Sequence, residues 1–378
     1  MASGGKSSKS GGFWRRLIGR VAEPAEAPPS ELSTLPAVQQ TQAPGASAPQ
    51  ARSATPPHDL RDFELGAEIG RGAMAIVYKA TQRSTGRQVA VKRLSLSREF
   101  SAEDLADVRE RFMREARAAG QLEHPDILQV IDAGQEGTDA WIALEYVLGR
   151  DLSLFTKANQ LLPVREVVQI GVRLARALDY AHSHGVIHRD IKPANVMLDR
   201  VNGSLKLMDF GIARVGDGSR TRTGLVLGTP SFMSPEQLAG LTVDGRSDLY
   251  SLAVLLYQLL TGALPHHSES MARLMQQIAT EPAPDVRTYR RSLPESLALV
   301  LAVALEKRPE LRYSSGEQMA RDLEAVLVMD LHAEPAPPEA AQAQDQAFAQ
   351  TLRLPPEEAG QNRRSPSDAQ PPESPQAS

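Results

Sequence analysis

The sequence predicts an α+β fold in which a small strand-rich half is followed by a larger helical half. Three observations lead there. From Phe63 to Val147 apolar residues recur in short alternating runs, the period of a strand. After Gly149 they recur three and four places apart over longer stretches, the period of a helix. At both ends the composition shifts to Pro, Ala, Ser, Gln and Glu, which fences off residues 59–332 as the part able to bury a core.

The chain opens with "MASGGKSSKSGGFWRRLIGRV", basic and without the apolar centre of a signal peptide. Phe13, Trp14, Leu17 and Ile18, interleaved with Arg15, Arg16 and Arg20, offer weak peripheral contact with an anionic lipid surface. So short a helix is marginal in water, so the plainer reading is a disordered, solvated leader. A Pro/Ala-rich linker follows to residue 58. In the small half "FELGAEIG", "AIVYKATQ", "QVAVKRL" and "WIALEYV" read as strands, with turn chemistry such as "STGR" between them. One helical stretch, "AEDLADVRERFMREARAAGQL", interrupts them. The larger half reads as helices at "REVVQIGVRLARALDYAHSHG", "SDLYSLAVLLYQLLTG", "SMARLMQQIAT", "PESLALVLAVAL" and "SGEQMARDLEAVLVM". The organisation expected is therefore a disordered leader and linker (1–58), one two-lobed domain (59–332, lobes meeting near 147–148) and a disordered tail (333–378). The crevice between the lobes is where a ligand is expected.

Composition excludes several classes. A formal net charge of −4 over 378 residues argues against a nucleic-acid binder, which would be basic. There is no cysteine, hence no disulfide, thiolate metal site or Cys nucleophile. "SLAVLLYQLL" and "SLALVLAVAL" fall short of the roughly 18 apolar residues a membrane span needs. A soluble, cytoplasmic protein is the expectation.

Four segments carry chemistry. In "IGRGAMAIVYKA" (Ile69, Gly70, Arg71, Gly72, Ala73, Met74, Ala75, Ile76 and Val77, then Tyr78 to Ala80) a glycine-rich turn joins two strands and lets backbone approach phosphate. A strand follows where a Rossmann turn would need a helix, so that reading is poor. In "VAVK" Lys92 ends an apolar strand and presents its amine to the crevice; Glu115 or Glu110 on the small-lobe helix could pair with it, and helical face alone does not choose between them. "HRDIKPANVML" brings Asp190 and Asn195, and about 19 residues after that aspartate "KLMDFGIAR" brings Asp209. These are hard oxygen donors, and two of them with nucleotide phosphates and waters suffice for Mg²⁺. Asp190 is flanked by Arg189 and Lys192, an odd setting for a base.

Together, in this order and spacing, the segments resemble the protein kinases, and among them the bacterial eukaryotic-like serine/threonine kinases. The resemblance runs from residue 61 to about 330. It implies the two-lobed protein kinase fold, with a small β-rich N-lobe holding one main helix and a larger helical C-lobe. It also implies transfer of the γ-phosphoryl group of ATP to Ser or Thr hydroxyls of proteins, with Mg²⁺ as cofactor and Mn²⁺ as the alternative. In that reading the loop from Ile69 to Val77 covers the phosphates. Lys92, held by Glu115, contacts them. Val77, Ala90 and Met197 sandwich the adenine, Leu144 guards the pocket, and the backbone from Glu145 to Val147 forms the hinge. Asn195 and Asp209 bind the metal, Asp190 accepts the substrate proton, and Lys192 reaches the γ-phosphate, a position that points to Ser/Thr substrates. Thr229 bonds Asp190 and Lys192.

The transition state is loose, so a weak base suffices and cations nearby serve the phosphoryl charge. Arg189 is implied to receive a phosphothreonine at Thr221 or Thr223, the activation-loop positions, formed by autophosphorylation in a transient dimer. Asp248 braces the catalytic loop and Glu236 pairs with Arg312. Ala75, in place of a third glycine, and Ser234 in Ser234-Pro235-Glu236 depart from the family pattern. Phosphorylated segments near Thr55 and Ser365 could recruit a phosphopeptide-binding partner. The competing reading is a pseudokinase or nucleotide-binding scaffold acting through its tails; Lys92, Asp190 and Asp209, which such proteins typically lose, are all present.

Overall fold

Alternation in the small lobe produces a five-stranded antiparallel sheet. A computed structural model describes residues 59–72, 75–100, 103–210 and 230–331; the leader, the linker and the tail lie outside that range. Strands β1 (Phe63–Arg71), β2 (Ala75–Gln82), β3 (Gln88–Leu94), β4 (Val130–Glu136) and β5 (Asp139–Glu145) bond in the order β1-β2-β3-β5-β4. On one face Val89, Val91, Phe63, Ala80, Trp141 and Ala143 make a small apolar cluster, with the Phe63 and Trp141 rings 5.4 Å apart. The register pairs Val77 with Lys92, Lys92 with Ile142, and Ala90 with Leu144, so these five share the opposite face. That face carries the sequence-predicted lysine.

β4 was not among the strands expected. Its alternation is broken by Asp132, by a register shift between Val130 and Asp132, and by Gly134. Gly134 sits opposite Trp141, and a Cβ there would lie 2.5 Å from the indole Cζ2. Gly134→Ala is expected to destabilise the small lobe by about 1–3 kcal/mol through overpacking. Thermal unfolding reads this, and an unchanged midpoint would show that the indole has room to move.

Helix α1 (Leu105–Gly120) buries Val108, Phe112, Ala116 and Ala119, the stripe its spacing predicted. Arg109 Nη1 donates to Gly137 O at 2.9 Å and pins the helix to the β4–β5 turn.

The large lobe is built on α2 (Val164–Ser183), α3 (Gly245–Thr261), α4 (Met271–Thr280), α5 (Glu295–Ala304) and α6 (Gly316–Met329). α3 is buried on nearly every side, from Ser247 to Leu260, and forms the lobe's axis. Asp244 caps its start by accepting from Arg246 N, and Gly262, at φ 75°, ends it in the left-handed conformation. Ser270 and Ser315 cap α4 and α6 in the same way. α6 lies tightly on α2: Asp179 Oδ1 accepts from Glu317 N at 3.1 Å. A second sheet, β6 (Arg150–Asp151), β7 (Val196–Asp199) and β8 (Ser204–Leu207), lies next to the predicted catalytic segment. Its strands of two to four residues are too short to show a period. One continuous apolar core runs from Leu94 and Phe112 in the small lobe to Leu323 in the large one.

Candidate active site

The segment after α2 is fixed by one buried carboxylate. Asp248, on α3, accepts from Arg189 N at 2.7 Å through Oδ1 and from His188 N at 2.8 Å through Oδ2. The same Oδ2 lies 2.8 Å from His182 Nε2 at the end of α2. Arg189 takes a left-handed backbone, φ 65°, and its carbonyl accepts from Gln237 Nε2 at 2.9 Å. The His188 ring is fully buried. Its Nδ1 accepts from Asp190 N at 3.2 Å, so Nε2 carries the proton given to Met208 O at 2.7 Å. Burial pushes the His188 pKa down against the pull of Asp248, which keeps the ring neutral for that bridge.

Asp190 is thus presented from a rigid base. Its Oδ2 accepts from Lys192 Nζ at 2.6 Å and from Asn195 Nδ2 at 2.9 Å, and Asn195 Nδ2 also holds Asp190 O at 2.8 Å. The amide nitrogen of Asn195 is thereby spent, which leaves the side-chain oxygen as its ligating atom. A backbone bond from Met208 N to Asn195 O, 2.8 Å, ties this turn to the chain leaving β8. There Asp209, at φ 59°, turns its carboxylate to Lys92, Oδ1 to Nζ 2.7 Å. Burial favours the neutral acid at Asp209. The Lys92 charge and hydrogen bond, backed by Lys192, outweigh it and hold the carboxyl below its usual range. Beside this ion pair an apolar pocket opens, lined by Leu128, Ile142, Leu144 and Phe210.

The glycine-rich turn is a hairpin over this region. Gly70 pairs with Val77, Arg71 with Ile76, and Gly72 N donates to Ala75 O at 2.8 Å. Ala75 is in β2 with no left-handed backbone, so the methyl that replaces the third glycine costs no strain. Glu68 holds Arg71 by two bonds, 2.8 and 2.5 Å. Ala73 and Met74 lie outside the described residues, as do Thr221, Thr223 and Thr229.

Comparison with known proteins agrees with this geometry. The protein kinase domain family matches residues 63–323, more than half of the chain. The chain belongs to the protein kinase family. Among curated relatives, "Probable serine/threonine-protein kinase SCO3848" of Streptomyces coelicolor is 46% identical over 277 residues, 70% of this chain and 40% of its own length. "Serine/threonine-protein kinase PknB" of Mycolicibacterium smegmatis is 40% identical over 279 residues, 71% of this chain and 43% of its own. The chain therefore spans about two fifths of these relatives. Of solved structures, the Mycobacterium tuberculosis PknI kinase domain is 34% identical with a TM-score of 0.56, covering 70% of this chain and 96% of that one. The strand-rich N-lobe and helical C-lobe expected from the sequence are those of this family.

Two further pairs stabilise the kinase domain. Glu236 and Arg312 form a bidentate buried ion pair, 2.7 and 2.8 Å, as the resemblance implied. Arg312 is fully buried, donates also to Glu306 O and Lys307 O, and stacks 4.9 Å from the Tyr250 ring centre. Burial would raise the Glu236 pKa, but hydrogen bonds from Arg312 and Ser247 bring it below its ordinary value. The second pair was not anticipated. Glu145 Oε1 meets Lys206 Nζ at 2.6 Å and accepts from Gln129 N at 3.0 Å, so the carboxylate ties the end of β5 to β8. The Glu145 backbone N–H donates to Gln129 O at 3.0 Å as well.

Among the described residues Lys92 pairs with Asp209, a partner the sequence did not suggest. Lys92 lies two residues before the end of β3, and its amine faces the carboxylate of Asp209, whose backbone is left-handed, at 2.7 Å. Glu110, the other candidate, is exposed and pairs with Arg114 one helical turn on, at 2.7 Å. Glu115 is half-buried on α1. Val77 and Ala90 share the cleft face with Lys92, and Met197 lies in β7, half-buried.

Proposed function

We propose that this chain is an active serine/threonine protein kinase that transfers the γ-phosphoryl group of ATP to Ser or Thr hydroxyls of other proteins, and to its own activation segment. One observation carries the reading: hydrogen bonds join Asp190, Lys192 and Asn195, and a backbone bond from Met208 to Asn195 O brings in the neighbouring Asp209, whose carboxylate pairs with Lys92. Asp190 Oδ2 is occupied by Lys192 and Asn195, which leaves Oδ1 to orient the substrate hydroxyl and take its proton as the oxygen–phosphorus bond forms. Lys192 and Lys92 balance charge on the phosphoryl oxygens.

The residues fit a divalent cation. Asp209 is held ionised, and Asn195 has a side-chain oxygen left over. Among the described residues no cluster of three or more acidic or histidine side chains forms a cage, which suits an ion that takes its remaining ligands from phosphates and water. Bound there, Mg²⁺, or Mn²⁺ in its place, would neutralise phosphate charge. That Rad53 (residues 1–466), 25% identical with a TM-score of 0.58, is solved in complex with AMP-PNP supports ATP as the nucleotide.

Arg189 supports switching by phosphorylation. Its Nε is buried without a hydrogen-bond partner among the described residues, a cost of about 1–3 kcal/mol that a phosphothreonine at Thr221 or Thr223 would offset. A transient dimer for that step and phosphopeptide-binding partners for the modified tails complete the proposal, with the cytoplasm, where ATP is supplied, as its setting. Among the described residues no helix is long and apolar enough to cross a membrane. The test is incubation with ATP and Mg²⁺ followed by phosphosite mapping. Label on Thr221 or Thr223 and on a generic protein substrate is expected. Tight nucleotide binding with no label on either would instead establish the scaffold reading.

A further inference from the structure

Helix α5 breaks the rule that a surface helix turns charge to water. Its inner face packs Leu297, Ala298, Val300, Leu301 and Ala304 into the lobe. Its outer stripe, one turn after another, is Glu295, Leu299, Ala302, Val303 and then Glu306, all exposed. Leu299 is 46% and Val303 37% exposed, so an apolar strip one helix long faces solvent between two carboxylates.

The chain itself passes the start of this strip. Ser296 Oγ, in the first turn of α5, donates to the Asp330 carboxylate just past α6, and Arg165 Nη1 holds Leu331 O. Leu331, the last described residue, therefore lies near the start of α5, and the tail, residues 332–378, follows it in the sequence. In all of it the large apolar residues are Phe348, Leu352 and Leu354. Phe348 and Leu352 are four apart, the spacing of Leu299 and Val303. Arg353 is the sole charge between Asp345 and Glu357, opposite in sign to Glu295 and Glu306.

We propose that the outer face of α5 is the docking surface for the chain's own segment Phe348–Leu354. The residues between Leu331 and Phe348 can extend about 55 Å, while α5 is about 15 Å long, so reach is ample. A second copy of the chain is a poorer occupant, since a stable dimer buries roughly 800 Å² per partner and three side chains supply a small part of that. A tethered segment needs far less, because its effective concentration is of millimolar order.

The cysteine-free sequence permits a direct test in the full-length chain. Ala302→Cys on the stripe is combined with Ala349→Cys in the tail, or with Ala341→Cys on a shorter tether, and each is treated with a short bis-maleimide at micromolar protein. Within one chain, the 302–349 link is expected to form at least tenfold faster than 302–341. Adding Phe348→Ser and Leu352→Ser, which lie outside the described residues, should bring it down to the 302–341 rate. Equal rates for the two pairs, or links formed only between chains, would overturn the proposal. The readout is a covalent link and not catalysis, so it stands apart from the functional reading.

Discussion

Asp190→Asn is expected to lower the rate of phosphoryl transfer by about 10²–10⁴-fold while the KM for ATP stays within about twofold. The split follows from where the group sits. Asp190 is bonded to Lys192 and Asn195 through one oxygen, whereas Lys92 and Asp209, the pair proposed to face the nucleotide, bond to each other. An amide has the same shape and can keep the bond from Asn195, but it can neither take a proton nor balance Lys192. Unfolding should be little altered, because the segment hangs on Asp248 through backbone groups of His188 and Arg189. Steady-state kinetics beside a melting curve make the comparison. Turnover near that of the unmodified enzyme would remove Asp190 from the mechanism.

Arg312→Met is expected to cost about 3–5 kcal/mol of stability, because it leaves Glu236 buried without its cation. For a domain of this size that is a fall in melting temperature of roughly 10 °C. The acid profile adds a sharper signature. With Arg312 present the folded pKa of Glu236 lies below its ordinary 4.5, so its contribution is complete above that value and is lost as pH falls through the lower folded one. Without Arg312 only hydrogen bonds from Ser247 and the backbone oppose burial, so the folded pKa rises. The variant should then lose less stability than the parent as the medium is acidified through 4.5. Glu236→Gln added to Arg312→Met should recover part of the loss and flatten the profile. If Arg312→Met alone melts within 2 °C of the parent, on the order of its experimental error, the pair contributes little.

Much of this was legible because the informative patterns are local. Val89 and Val91 alternate with Ala90 and Lys92, and a strand with one face buried and one in the cleft follows from that alone. Asp190 and Asn195 are five residues apart, close enough for a turn to join them. What was missed is what depends on distant pairing. Lys92 and Asp209 are 117 residues apart, and on a helical wheel Glu110 and Glu115 looked like equal partners. Nothing near Glu145 or Lys206 announces that they meet. β4 escaped because a bulge and Gly134, needed to clear the Trp141 indole, destroy the alternation that would have revealed it.

Asp248 has a further consequence. It springs from the helix most enclosed by the large lobe and carries two consecutive peptide groups of the reactive segment on its two oxygens. The floor of the cleft therefore behaves as an anvil, set by the deepest part of the molecule. Tuning, whether by evolution or by an inhibitor, has more to work with in the roof, where one face of the sheet rests on a separate cluster of six buried apolar residues.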